Sequence, residues 1–427
     1  MESTQQTSSK PKWDWRHWKQ FLKKNCIINE TSSANPVLNG EISCEADMKD
    51  ETKKDPYEEL KGGFEGEDKR IPMIFTDKLI QDRQYEPSVV NEFNVVGELG
   101  KGAFSVVYLA EKEVNGEKQQ YALKQMSIEQ LKKDKITVYT IDKEQEILTS
   151  LQKVYMESYQ MAKISKFNHP NVIKIFEIIE DDSKDTIYLV IEFCHFGQIS
   201  DWNRSSDKYI RNQALIDHLV ETEFEGEDFK NEHEKIEKVG KFIFKKVLEG
   251  LKYLHDNNYV HRDIKPDNIW FSKEGNNPKI GDFTVTQYIP SHDFMLMSKV
   301  GTPLFMAPEM EPPEVDDGLD LDNIDFDNLG DDSGDDSEDP TEQKHEFLPL
   351  PTDIWSMGVT IFSYFGENCP FNGDVEYQIL QSAQNDELPR LDDYSEELNQ
   401  LLAAMCHKTP TERPSVQEVL DHAWFTT

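Results

Sequence analysis

A chain of 427 residues with a formal net charge of -36 can build one large two-lobed core, or two or three ordinary ones. Its field repels polyanions, which argues against binding of nucleic acid or of an anionic membrane by the chain as a whole and favours basic partners. The five cysteines (Cys26, Cys44, Cys194, Cys369, Cys406) lack the paired spacings of a zinc site or disulfide framework and read as free thiols in a reducing compartment.

No apolar run is long enough to span a bilayer, and Met1-Glu2-Ser3 starts neither a secretory nor a myristoylation signal. The expectation is a soluble, intracellular, cytoplasmic protein. Residues 1 to about 90 are rich in Ser, Thr, Lys, Glu and Asp with no sustained apolar period, so this extension is expected to be mostly disordered. Inside it, residues 12–24 (KWDWRHWKQFLKK) mix aromatic with basic side chains, and Trp15, Trp18 and Leu22 share one helical face. That segment suits docking to a partner, to an anionic membrane surface or to the protein's own acidic stretches. It equally suits a short helix covering its own domain.

From Asn91 the texture changes. Phe93, Val95 and Val96 lead into Leu99-Gly100-Lys101-Gly102-Ala103-Phe104-Ser105-Val106-Val107, read as strand, glycine turn, strand. Glycines at 100 and 102 let backbone N–H groups approach phosphate oxygens, although the third position of a G-x-G-x-x-G pattern is Ser105. Tyr121-Ala122-Leu123-Lys124 follows; a lysine ending a short buried strand is suited to holding an anion. Residues 140–167 carry a helical pattern that Pro170 stops. Ile173–Ile179 and Ile187–Phe193 read as strands, the second running into a hinge at Cys194-His195-Phe196-Gly197. Residues 201–237 look like a solvated insertion, and Phe244, Val247, Leu248, Leu251 and Leu254 define a helix.

That helix delivers the chain to His261-Arg262-Asp263-Ile264-Lys265-Pro266-Asp267-Asn268. A carboxylate, an ammonium and a carboxamide on one short loop are equipment for phosphoryl transfer. Asp263 can accept a hydroxyl proton, Lys265 can neutralise a moving phosphoryl group, and Asn268 can offer an amide oxygen to magnesium. Asp282, in Lys279-Ile280-Gly281-Asp282-Phe283, can chelate magnesium against the phosphates. After Gly301-Thr302-Pro303 and Ala307-Pro308-Glu309, residues 311–346 are dominated by Asp and Glu and should form a disordered insertion within the domain. Asp353-Ile354-Trp355-Ser356-Met357-Gly358 opens an apolar helix; Leu398, Leu401, Leu402 and Met405 mark another. Ser415 and Glu418 stand in capping-box spacing before the last one.

In this order the motifs resemble a eukaryotic protein kinase domain over residues 93–426. The resemblance implies an α+β bilobal fold, with a small, mostly β lobe and a larger helical lobe enclosing ATP and Mg2+. It would set Leu99, Gly100, Lys101, Gly102, Ala103, Phe104, Ser105, Val107, Ala122, Glu192 and Cys194 against the nucleotide, with Lys124 on its α- and β-phosphates. Asp263, Lys265 and Lys124 become the catalytic set, Asn268 and Asp282 the metal ligands, and Glu309 a structural partner of Arg413. Lys265 two places after Asp263, and Gly301-Thr302-Pro303, look like the serine/threonine branch. Softer stretches (Val154-Tyr155, His169-Pro170-Asn171-Val172, residues 175–182 and Cys369-Pro370-Phe371) are similar to the calcium/calmodulin-dependent protein kinase kinases, a group that overlaps with the activators of AMP-activated protein kinase.

Three departures stand out. Thr284 replaces the usual glycine after Asp282-Phe283 and should narrow the hinge there. Counting back from His169-Pro170, the family's helix glutamate that pairs with the strand lysine falls on Gln160, with Glu157 one turn earlier as the secondary candidate. No basic amphipathic segment follows the domain, so dependence on calmodulin is doubtful, with residues 12–24 as the possible exception. The implied function is a protein serine/threonine kinase acting on protein substrates, among them the activation loops of downstream kinases. The alternatives are a nucleotide-binding pseudokinase scaffold and another kinase of the broader calmodulin-kinase type.

Overall fold

A computed structural model describes residues 26–28, 71–102, 104–139, 145–166, 168–292, 295, 300–310 and 347–426. The Trp/Lys-rich segment 12–24, Ala103 and the acidic tract 311–346 lie outside the described residues.

The small lobe is built on β1 (Cys26–Ile28), β2 (Ile71–Thr76), β3 (Val89–Val90), β4 (Phe93–Lys101), β5 (Ser105–Val114), β6 (Glu117–Met126), β9 (Ile175–Glu180) and β10 (Ile187–Glu192). Their order in the sheet is β1-β2-β9-β10-β6-β5-β4-β3. The β5–β6 hairpin closes on Asn115 and Gly116, both with positive φ, the residues that a tight two-residue turn selects. The remaining strands of the lobe, β7 (Lys135–Tyr139) and β8 (Gln145–Thr149), form a separate hairpin before the helix Ser150–Ser165. That helix starts later than the periodicity from residue 140 implies because Thr149 and Gln152 form a reciprocal capping box.

Two expectations for the chain order are corrected. The extension before residue 90 is not wholly outside the domain: β2 pairs parallel with β9, Ile74 opposite Glu177, and β1 pairs parallel with β2. Met73 and Phe75 are fully buried there, so the short apolar run Ile71–Phe75 adds core to the sheet edge. Residues 201–237 are not simply solvated either. Strands Ser200–Asn203 and Lys208–Arg211 pair, and the helix Gln213–Thr222 starts on an Asn212 cap and buries Leu215, Ile216 and Leu219.

The large lobe is helical. Glu232–Asp256 buries Val239, Ile243, Phe244, Val247, Leu248, Leu251 and Leu254 on one face, and Pro349–Gly366 is enclosed nearly all round. Capping at Ser395 and a full capping box at Ser415 with Glu418 start two of the later helices. This is the bilobal α+β arrangement expected from the motifs, and it leaves the catalytic loop between the two buried helices.

Candidate active site

The loop after β13 (Tyr259–Val260) is held by one buried carboxylate. Asp353, on the Pro349–Gly366 helix, accepts from the backbone N–H groups of His261 at 2.8 Å (Oδ2) and Arg262 at 2.8 Å (Oδ1), with the His255 ring 2.9 Å from Oδ2. Fixing two successive N–H groups fixes the direction in which the next side chain leaves the backbone. Arg262 has a φ of +71° and donates through Nη1 to Gln287 Oε1 at 2.7 Å. Gly301 passes so close that a Cβ on it would lie 2.5 Å from the Arg262 carbonyl oxygen. Only glycine fits this crossing, and its φ of +120° points the same way.

Asp263 therefore enters a crowded polar cluster. Its Oδ2 accepts from Lys265 Nζ at 2.8 Å and Asn268 Nδ2 at 3.0 Å, while Oδ1 accepts from the Thr302 N–H at 2.8 Å and hydroxyl at 2.7 Å. Lys265 also donates to Thr302 Oγ1 at 2.6 Å. Burial pushes the Asp263 carboxyl up, but Lys265 and the Thr302 hydrogen bonds outweigh it and hold the group below the usual carboxylate range. It is thus ionised at neutral pH, as an acceptor of a hydroxyl proton must be.

Asn268 spends its amide N–H groups on Asp263, on Oδ2 and on the carbonyl oxygen at 2.8 Å, so its own oxygen is left to accept. Asp282 follows on from β14 (Ile269–Ser272) and β15 (Asn277–Ile280), where His261 Nε2 lies 3.0 Å from the Gly281 carbonyl oxygen. Phe283 is fully buried against the His261 ring. Asp282 Oδ1 accepts from the Thr284 hydroxyl, and among the described residues no donor is bonded to Oδ2. One amide oxygen and one carboxylate oxygen form a hard, anionic donor pair, which fits a magnesium ion that takes its other ligands from phosphate and water.

On the nucleotide side, Lys124 sits on β6 opposite Val107 of β5 and Leu189 of β10. Ala122 shares its face. Gly100 and Lys101 still pair with Val107 and Val106, and Gly102 donates to the Ser105 carbonyl at 2.8 Å. A Cβ on Gly102 would meet Ser105 Oγ at 2.9 Å. Leu99, Lys101 and Phe104 are exposed at the mouth of the cleft. The Glu192 side chain is paired with buried Lys279 at 2.8 Å, and its N–H donates to the Lys174 carbonyl at 2.9 Å. Burial pushes the neighbouring Cys194 thiol up to about 12, so it is a neutral thiol rather than a nucleophile. A cavity of about 350 Å³ lined by Phe93, Lys112, Tyr121, Phe176 and Glu177 lies on the sheet face opposite Lys124.

Gln160 and Glu157, one turn apart on the Ser150–Ser165 helix, are both buried, and the Lys124 charge acts on the Glu157 carboxyl. Burial pushes the Glu157 carboxyl up, while Lys124 lowers it and Asp282 raises it. Among the described residues Lys124 and Glu157 are in electrostatic reach rather than in a direct ion pair. The expected pairing of Arg413 with Glu309 is present, bidentate at 2.6 and 2.7 Å.

Three residues in this cluster carry more than the motifs suggested. Thr302 touches both Asp263 and Lys265, Asp353 anchors the loop, and Thr284 holds the Asp282 carboxylate. Each sat inside a recognised run of letters, but only the tertiary contact reveals what its side chain does.

Residues 93–315 and 343–425 match the family of the protein kinase domain, the break falling within the acidic tract. The serine/threonine-protein kinase ppk34 of Schizosaccharomyces pombe is 26% identical over 83% of this chain and 88% of its own. The calcium/calmodulin-dependent protein kinase kinase of Caenorhabditis elegans is 26% identical over 83% of this chain, which spans 56% of that protein. Serine/threonine-protein kinase STK11 of Gallus gallus is 25% identical over 62% of this chain and 48% of its own. No helix among the described residues is long and apolar enough to cross a membrane. The family match covers well over half of the sequence and includes every element that positions Asp263, so the chain belongs to the protein kinase family, in its serine/threonine branch.

Proposed function

We propose that this kinase transfers the γ-phosphoryl group of ATP, with magnesium, to hydroxyls on the activation loops of downstream kinases. The observation that carries the transfer is the Asp263 cluster: an ionised carboxylate fixed by Lys265, Asn268 and Thr302 at the end of a loop pinned by Asp353. When bound, magnesium ATP supplies the phosphoryl group and the cationic charge that offsets it. Asn268 and Asp282 would hold the metal, and Lys124 with the glycine turn would hold the phosphates. Asp263 orients the substrate hydroxyl and accepts its proton at its carboxylate, and Lys265 neutralises charge on the oxygens in transit.

Kinases as substrates are supported by the stretches similar to the calcium/calmodulin-dependent protein kinase kinases and by the name of the nematode relative. A cytoplasmic setting suits Cys194, Cys369 and Cys406, which are free thiols. A pseudokinase scaffold gains nothing from the geometry, because Lys124, Asp263, Asn268 and Asp282 are all retained and Asp263 is fully organised.

The test is phosphate transfer from labelled ATP to kinases bearing intact activation loops, with sites mapped and Asp263→Asn as control. Labelling of a loop threonine, reduced about a hundredfold or more by the substitution, is expected. Equal labelling by Asp263→Asn would remove the role given to that residue. Transfer to generic peptides alone would remove the downstream kinases.

A further inference from the structure

Thr284 stands immediately after Asp282-Phe283, where the resemblance leads one to expect glycine. Its hydroxyl donates to Asp282 Oδ1 and its N–H lies 3.4 Å from the same oxygen. Glu157, only 8% exposed, lies within electrostatic reach of Asp282. Asp282 itself has a φ of +60°, a backbone state uncommon for a residue with a side chain, and two hydrogen bonds from Thr284 onto one oxygen brace it there. Thr284 is not among the residues with positive φ, so its β-branch is accommodated without strain. Glycine at this place would offer the N–H but no hydroxyl.

We propose that Thr284 is a positioning residue: its hydroxyl and N–H both hold Oδ1 of the Asp282 carboxylate, so that the magnesium ligand keeps one placement relative to the backbone after β15. The tie has two consequences. Oδ1 is engaged by the hydroxyl, which leaves Oδ2 as the oxygen offered to a cation. Phe283, between the two residues in sequence, is fully buried against the His261 ring, so the tie holds Asp282 on a fixed backbone. The inference rests on the kinase reading, through the role of Asp282.

The test compares Thr284→Val, which keeps size and branching but loses the hydroxyl, with Thr284→Ser, which keeps the hydroxyl, in the full-length chain. Equilibrium binding of a non-hydrolysable ATP analogue is measured with magnesium and with EDTA, alongside amide hydrogen exchange. Thr284→Val is expected to weaken magnesium-dependent binding on the order of tenfold, as loss of a hydrogen bond to a charged group does. Binding in EDTA should be unchanged, exchange should quicken at 281–284, and Thr284→Ser should restore the affinity. If Thr284→Val unfolds, Thr284→Ala supplies the hydroxyl-free comparison with the same expected loss. Wild-type affinity in the hydroxyl-free variants would overturn the proposal, as would Thr284→Ser binding as weakly as Thr284→Val, since packing of the methyl group would then be responsible. A wild-type chain that binds nucleotide but transfers no phosphate would sink the kinase reading and leave this comparison standing.

Discussion

Glu157 and Gln160 are three residues apart on one face of the same helix and equally buried at 8% exposure, but they differ in what they can do for Lys124. A carboxyl can offer charge as well as a lone pair, whereas an amide oxygen offers only the latter. Glu157→Gln is therefore expected to lower kcat/KM about ten- to a hundredfold, with a raised KM for ATP, while Gln160→Leu costs no more than about threefold. Steady-state kinetics on both variants decide it, and a severe loss in Gln160→Leu with little in Glu157→Gln would assign the role to Gln160. Counting back from His169-Pro170 treats helix placement as fixed by the turn that follows. Here the helix is also seated by the Tyr155 hydroxyl on Glu180 at 2.6 Å and by fully buried Ser158, contacts from another strand that no spacing within the helix reveals.

What was legible at the scale of elements is what is written in short, fixed spacing. The glycine turn with Lys124, the loop from His261 to Asn268, and Asp282 with Phe283 each combine residue types that few other structures need together. Helix Gln213–Thr222 escaped notice because Leu215, Ile216 and Leu219 are embedded among charged residues, and composition outvoted periodicity. Strand β2 escaped because it contains Pro72, a residue that normally marks a sheet edge or a bulge. In the fold Pro72 falls next to the register shift between Cys26 and Ile27 of β1, where a missing N–H does least harm. A chain begun at Asn91 would lose β1 to β3 and leave β9 as an open edge. Exposing the sites of Met73 and Phe75 removes about 3–6 kcal/mol of burial, enough to lower the unfolding midpoint on the order of 5 °C or more. An unpaired strand also invites association. Thermal unfolding and light scattering on chains begun at 71 and at 91 test this; identical midpoints and no added scattering would show that the edge strand contributes nothing.

At the scale of the molecule, the charge of -36 acts on whatever approaches Asp263, and the acidic tract between residues 311 and 346 supplies a dense share of it. Both flanks of that tract are anchored. Met310 and Phe347 are buried in one cluster with Phe305 and Trp355, and Glu309 is locked to Arg413. The segment leading into it carries Thr302, which touches Asp263, so the tract is rooted beside the substrate face. Exposed charge attracts a basic peptide at long range, and salt screens that attraction within about 10 Å at 0.1 M. Deleting residues 313–345 should therefore leave a folded kinase whose kcat is nearly unchanged and whose KM for a basic peptide rises severalfold at low salt. The difference should vanish as salt increases, and a neutral peptide should show none. An unaltered KM at low ionic strength after the deletion would mean that the tract takes no part in capture and that the remaining charge of the lobes draws basic substrates to the site.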